Sequence, residues 1–340
     1  GASFELNTDE SILSGVLPTG IDFGPDGALY LADWVNGWGS KDYGRVWKLD
    51  VTEETNDLAQ ERLETQRLMT HNYKDDNSEN LVKLLSYGDM RIRQKAQFEL
   101  AKRTFWGYRA LKDVLKNDEN QFARIHAIWG IGQIAANDKD DAKPLLDLLH
   151  DSDSEIIAQS AKVLGDLRYE PAADTLISLT THENDRVKFF AAQALGRLKY
   201  EKAVEPLLEM IVANDDKDLY LRHAAVLALS RIGNAEPLLA LANSENRALR
   251  LAAVLVLRKL QEPKISIFLS DKDEYIVTET ARAINDDLSI EGALPALATL
   301  LNNEKYTSEP LLRRAINAAL RVGGEQELDM LINFAKRTSV

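Results

Sequence analysis

The run Asp185-Arg186-Val187-Lys188-Phe189-Phe190-Ala191-Ala192-Gln193-Ala194-Leu195-Gly196 decides the fold. Val187 and Ala191, four residues apart, share one face of a helix. Asn184 stands just ahead of the run. Asp and Asn are strong N-caps because a side-chain oxygen accepts the free backbone N–H groups of the first turn. The same pattern returns along the chain. Its first position falls at Asp89, Asn120, Asp153, Asn184, Asp218, Asn246, Asp273 and, with a poorer match, Glu309. Three residues on stands an aliphatic: Ile92, Ala123, Ile156, Val187, Leu221, Leu249, Ile276 and Leu312. A basic residue follows at Arg93, Arg124, Lys188, Arg222, Arg250 and Arg313, replaced by Ile157 and Val277 in the third and seventh units. The aliphatic positions are spaced by 27 to 36 residues. Eight units at that period predict a mainly α fold, an α-α superhelix of stacked helical pairs.

Each unit has its own physical logic. Ala96, Ala127, Ala191, Ala225 and Ala253 lie one turn beyond the aliphatic, where a small side chain lets neighbouring helices approach. The preceding helix of a unit carries a Leu pair: Leu84-Leu85, Leu145-Leu146, Leu207-Leu208 or Leu238-Leu239. Pro144, Pro206, Pro237 and Pro295 sit early in those helices, where proline is tolerated. A last helix over Glu325 to Lys336 is expected to cap the array with a polar outer face.

The first fifty residues have a different character. Gly20 to Gly24, Ala28 to Trp34 and Arg45 to Leu49 read as strands, with Ser3 to Leu6 as a candidate fourth. Pro25-Asp26-Gly27 supplies a turn, and Asn36-Gly37 and Gly39-Ser40 break the second strand. Four short strands match one blade of a β-propeller. Helical spacing takes over near residue 55, with a connecting helix over Thr52 to Met69 and a polar loop over His71 to Asn77. The expected organisation is a remnant blade over 1–52, a linker over 53–77 and the repeat array over 78–340.

Composition narrows the function classes. The chain holds 41 Lys+Arg against 54 Asp+Glu, a formal net charge of −13, which disfavours phosphate and hence nucleic acid. It has no cysteine, so disulfides, thiolate metal sites, cysteine nucleophiles and haem attachment through CxxCH are excluded from it. No apolar run is long enough to span a membrane. The chain opens at Gly1-Ala2-Ser3, without a signal peptide, and reads as a piece of a longer polypeptide. Gly130-Ile131-Gly132 and Gly323-Gly324 do not follow strands, and no GxSxG or HExxH stands in the chain. Asp151-Ser152-Asp153-Ser154-Glu155 and Asp138-Lys139-Asp140-Asp141 lack the calcium-loop pattern and read as capping carboxylates. No catalytic, cofactor-binding or metal site is assigned, and no cofactor is expected on this chain.

The repeating unit resembles the HEAT repeat, over about residues 78–338, in its Asp…Val-Arg…Ala-Ala…Leu-Gly run. That resemblance implies a ladder of Asp–Arg contacts between repeats, interrupted at Ile157 and Val277. It also places the second helices on the concave face. Phe98, His126, Trp129, Phe189, Phe190 and His223 stand two, three or six residues beyond the aliphatic position, and are the candidate partner-binding residues. Phe105, Trp106 and Tyr108 read as a turn covering the first repeats. His182-Glu183 is similar to the His-Glu dipeptides of deoxyhypusine hydroxylase, a HEAT-repeat iron enzyme, but stands alone here.

Gly20-Ile21-Asp22-Phe23-Gly24-Pro25-Asp26-Gly27-Ala28-Leu29-Tyr30-Leu31-Ala32-Asp33-Trp34, followed by Gly44-Arg45-Val46-Trp47-Lys48-Leu49, resembles the closing blade of bacterial propeller proteins. These are similar to sugar (glucose/sorbosone) dehydrogenases that use pyrroloquinoline quinone. In some membrane-bound dehydrogenases such a propeller precedes HEAT repeats and a c-type cytochrome. The resemblance implies a non-catalytic protein–protein interaction scaffold within a larger exported protein, periplasmic or extracellular. Its partners would be a protein along the concave face, its own propeller and a c-type cytochrome domain, with no nucleic acid and no membrane insertion. The alternatives are a free-standing HEAT adaptor, and behind it a HEAT-type DNA glycosylase or bilin lyase.

Overall fold

A computed structural model of the chain describes residues 2–4, 6–35, 39, 43–52, 57–117, 119–286 and 289–338. Two compact units result, Phe4–Pro144 and Leu145–Val340, the latter with Gly1–Ser3.

In the first unit, strands β1 (Pro18–Phe23), β2 (Leu29–Asp33) and β3 (Arg45–Leu49) form an antiparallel meander in the order β1-β2-β3. Ile21 pairs with Leu31, and Leu31 with Trp47. Gly24 N–H donates to the Ala28 carbonyl at 2.8 Å, which closes the turn expected at Pro25-Asp26-Gly27. Among the described residues no strand forms at the candidate fourth position, Ser3 to Leu6. Phe4 and Leu6 are exposed, while buried Ala2 donates its N–H to Asp218 Oδ2 at 2.7 Å within the second unit. Asn36, Gly37 and Ser40, read as strand breakers, lie outside the described residues.

Helix α1 (Ala59–Thr70) begins later than the connecting helix expected from the sequence, and residues 53–56 are not described. Its Arg62 donates to the Asp26 carbonyl at 2.9 Å through Nε and pairs with Asp50 at 2.8 Å, tying helix to sheet. Helices α2 (Ser78–Leu84), α3 (Met90–Lys102), α4 (Thr104–Asn117) and α5 (Gln121–Ala135) complete this unit as two antiparallel pairs. Phe105, Trp106 and Tyr108 belong to the first turns of α4 and not to a loop. The loop is only Arg103, and Thr104, the first residue of α4, has a positive φ of 46°.

The second unit runs through α6 (Pro144–Asp147), α7 (Ser154–Asp166), α8 (Ala173–Ser178), α9 (Asp185–Leu198), α10 (Val204–Asn214), α11 (Leu219–Ile232), α12 (Glu236–Leu239) and α13 (Arg247–Leu260). A 3₁₀ segment (Pro263–Ser270), α14 (Glu274–Asn285), α15 (Leu294–Ala298), α16 (Glu309–Val322) and α17 (Glu325–Thr338) follow. Among the described residues the chain thus holds eight helical pairs and a final helix.

The second helix of each pair is the regular one, and its cap explains why. Asp89, Asn120, Asp153, Asn184, Asp218, Asn246 and Asp273 each accept a backbone N–H two or three residues on. The eighth unit corrects the sequence reading by one residue. Its cap position is Ser308, so Leu311 is the buried aliphatic and Arg313 points to solvent, paired with Glu309. The first helices are short, several of them a single α-turn finished by a 3₁₀ turn.

The core follows from these faces. Ile92, Ala123, Ile156, Val187 and Ile276 are fully buried, as are Ala96, Ala127, Ala191, Ala225 and Ala253. Two contacts go further. A Cβ built on Gly165 would lie 2.6 Å from Ala194 Cα, and one on Gly196 would lie 2.5 Å from Ala228 Cα. At these points α7, α9 and α11 meet backbone to backbone, which only glycine permits.

Candidate functional site

The candidate residues divide between the two units. In the first unit, Phe98 on α3 is 45% exposed, and Trp129 on α5 is half-buried. His126 is not on the surface: it is 2% exposed beneath the Trp129 ring, edge to face at 5.0 Å. Its Nδ1 lies 2.7 Å from Gln97 Oε1, and its Nε2 accepts from Arg93 Nε at 3.1 Å. Accepting at Nε2 requires a neutral ring that donates from Nδ1. Burial first, and the Arg93 charge second, push the imidazole pKa down to about 4. Arg93 also donates to the carbonyls of Tyr87 and Gly88 and lies 4.5 Å from the Phe122 ring centre. The network holds His126 against the half-buried Trp129 ring. A partner can reach Phe98 and Trp129, but not His126.

In the second unit, Phe189 and Phe190 on α9 are half-buried and stack edge to face at 5.2 Å. Arg186 covers the Phe190 ring at 5.0 Å and forks onto Glu155 of α7 at 2.6 and 3.1 Å. Phe190 therefore serves the packing of two repeats, and Phe189 packs against its edge. His223 on α11 is exposed and borders a groove of about 840 Å³ between α11 and α13, walled by Leu219, Leu227 and Leu255.

The basic residue after the aliphatic does not build the uniform ladder expected from the resemblance. Arg250 reaches the next repeat, with Nε 2.8 Å from Asp271 Oδ2. Arg222 pairs with Asp216 in the turn of its own unit, and Lys188 with Asp185 on its own helix. Links between repeats come from other positions: Arg186–Glu155, Arg197–Asp166 at 2.9 Å, Arg247–Asp273 at 2.6 Å and Arg314–Asp286.

Several exposed apolar residues escaped the sequence reading. Met90, Phe122, Leu219, Tyr220 and Tyr275, all more than half exposed, follow the caps by one or two positions. Phe105 and Trp106 stack edge to face at 5.2 Å and are 66% and 65% exposed. The signal was present, because first turns favour acidic residues near the positive end of the helix dipole, and here they carry apolar ones. His182 is a turn residue whose Nδ1 accepts the Asn184 N–H at 3.0 Å. Asp138, Asp151 and Asp153 accept backbone N–H groups of their own turns, as capping carboxylates do. No cluster of His, Asp and Glu able to hold a metal occurs among the described residues, and no described helix is long and apolar enough to cross a membrane.

Residues 108–188 and 142–230 match the family model of HEAT repeats. No curated protein matches the chain. Solved structures similar to it include an engineered protein at 18% identity, over 76% of this chain and 82% of that one, with a TM-score of 0.40. The complex of CpcE and CpcF of phycocyanin lyase from Nostoc sp. PCC7120 aligns at 18% identity, over 72% and 94%, with a TM-score of 0.38. Human deoxyhypusine hydroxylase in complex with glycerol aligns at 17% identity, over 74% and 95%, with a TM-score of 0.32.

Proposed function

We propose that the chain is a non-catalytic interaction scaffold whose second helices, together with the first turn of α4, present the binding surface to a protein partner. The observation that carries this reading is the exposure of large apolar side chains, Phe98, Phe122 and Leu219 on capped second helices and Phe105 and Trp106 at the start of α4. Aromatic residues held on rigid elements are the usual anchors of protein interfaces, because they bury much area at small entropic cost. HEAT repeats over residues 108–230 support the same reading.

The finer reading sets this scaffold within a larger exported dehydrogenase-like propeller protein, between the propeller and a c-type cytochrome domain, in the periplasm or cell exterior. What supports it is the three-stranded meander formed by the blade-like sequence, followed directly by the helical array. A β-sheet of this size is stable only when packed against other structure, which a neighbouring blade would supply.

Two experiments test the two levels. A photo-cross-linking residue placed at Phe98 or Trp106 in cells should capture one protein, and the same residue at exposed Glu209 on α10 should not. Equal labelling at all three positions would overturn the scaffold reading. An immunoblot of the native polypeptide with a parallel haem stain tests the parent. A haem-staining band far above 38.0 kDa supports it, and a band at that mass without haem leaves a free-standing adaptor.

A further inference from the structure

Helix α17 closes the array, but its outer face is not the polar one expected of an end. The helix lies on α16 and on the 3₁₀ turn Thr299–Asn302. Glu327, Met330, Leu331 and Phe334 form its packed side, buried or half-buried. Arg337 pins the last turn, donating to the Leu301 carbonyl at 2.9 Å and lying 5.5 Å from the Phe334 ring centre. The opposite side faces water. Leu328 and Ile332, four residues apart, stand there 57% and 41% exposed.

Three charges share this outer stripe. Glu325 stands three residues before Leu328, Asp329 three before Ile332, and Lys336 four after Ile332. All three are exposed, and none is ion-paired among the described residues. The stripe is therefore acidic over its first half, basic at its end and apolar between.

That order is its own complement when reversed. Two α17 helices laid antiparallel about a two-fold axis set Leu328 of each copy against Ile332 of the other. In the same register Lys336 of each copy reaches Glu325 of the other, with Asp329 one turn nearer the axis. The opposed helix dipoles act in the same sense. A parallel pair would instead set acid against acid and Lys336 against Lys336. An unrelated protein would need to carry this charge order independently, whereas a second copy already has it.

We propose that α17 is a self-association surface, through which two copies of this chain pair antiparallel about a two-fold axis. The interface is small. One pair of 14-residue helices covers less than the roughly 1,200 Å² of a standard interface, so the dimer is concentration-dependent, with a Kd on the order of 10 μM. It uses none of the residues offered above to a protein partner, so the two readings stand or fall separately.

The test is sedimentation equilibrium of the full chain over about 1 to 200 μM. The mass should rise from 38.0 kDa toward twice that value and stop there. A mass that stays at the monomer, or grows past the dimer as an open-ended contact would make it, overturns the proposal. Leu328→Gln with Ile332→Gln should raise the Kd by about tenfold or more, and an unchanged Kd would place the contact elsewhere. The charges give the sharper test. Glu325→Lys with Asp329→Lys makes the stripe wholly basic, and Lys336→Glu makes it wholly acidic. Each variant alone should associate at least about tenfold more weakly than the wild type, and an equal mixture of the two should recover the dimer. Recovery on mixing also shows that both variants are folded. Wild-type association of either variant alone, or a mixture that stays monomeric while circular dichroism shows both variants helical, overturns the proposal.

Discussion

Arg250 and Asp271 form an ion pair withdrawn from water, with Nε 2.8 Å from Oδ2 and side chains 4% and 1% exposed. Neither charge relies on the other alone. Arg250 also donates to the carbonyl of Ser244 at 2.7 Å, and Asp271 accepts the Asp273 N–H at 2.8 Å. Removing one partner leaves a buried charge uncompensated. Arg250→Met should cost about 3–5 kcal/mol in urea unfolding, and Arg250→Met with Asp271→Leu should recover most of it. A loss no larger than that of a surface pair, below about 1 kcal/mol, would show the pair to be hydrated.

His126 makes stability depend on pH. Its folded pKa, about 4, lies below the ordinary 6.5, so the unfolded chain takes up the proton first. The stabilisation is complete above pH 6.5 and is lost as the pH falls from there to about 4, to a total of about 3 kcal/mol. Carboxylates held below their ordinary range by partners, such as Asp89 beside Arg91, act at still lower pH. Urea midpoints should fall across the histidine window, and His126→Gln should flatten that slope. An unchanged slope would assign it elsewhere.

Gly165→Ala and Gly196→Ala should each destabilise by about 1–3 kcal/mol, even though alanine favours a helix by about 1 kcal/mol. The added methyl meets the backbone of Ala194 or Ala228, which cannot turn aside. A rise in melting temperature would show that the helices separate freely.

Trp106→Ala should change stability by less than about 0.5 kcal/mol, because its ring lies mostly in water, and Phe98→Ala, at a ring about half covered, by about 1 kcal/mol, while both lower partner capture. Trp129→Ala should instead cost about 1–3 kcal/mol, since its ring covers His126. Melting temperatures of the three variants, measured beside cross-linking yields, separate surface from support.

The caps were legible because capping is local chemistry: Asp or Asn before an aliphatic face needs no knowledge of the rest of the chain. Ser308 was missed because its side chain makes no cap bond and Glu309-Pro310 blurs the helix start. Pairing was less legible. A base at a fixed spacing does not reveal its acid, and Arg222, Lys188 and Arg250 each turn to a different kind of partner. The burial of His126 had a sequence signal that was not used. The same position holds Gln159, Ala224 and Ala252, which are buried, and Lys95, Phe190 and Glu279, which are half-buried, so it stands at the inner edge of the helix face. The missing fourth strand had none, because Ala2 is drawn to Asp218, more than two hundred residues away.

The glycine contacts at Ala194 and Ala228 bear on elasticity. Where side chains interdigitate, a joint bends as rotamers change. Between α7, α9 and α11 the backbones touch, and no rotamer intervenes. Bending at these joints would have to part the backbones themselves, so α7, α9 and α11 are expected to resist it together. A ligand laid across them meets a spacing that is set before it arrives, and its binding free energy is not spent on ordering the surface.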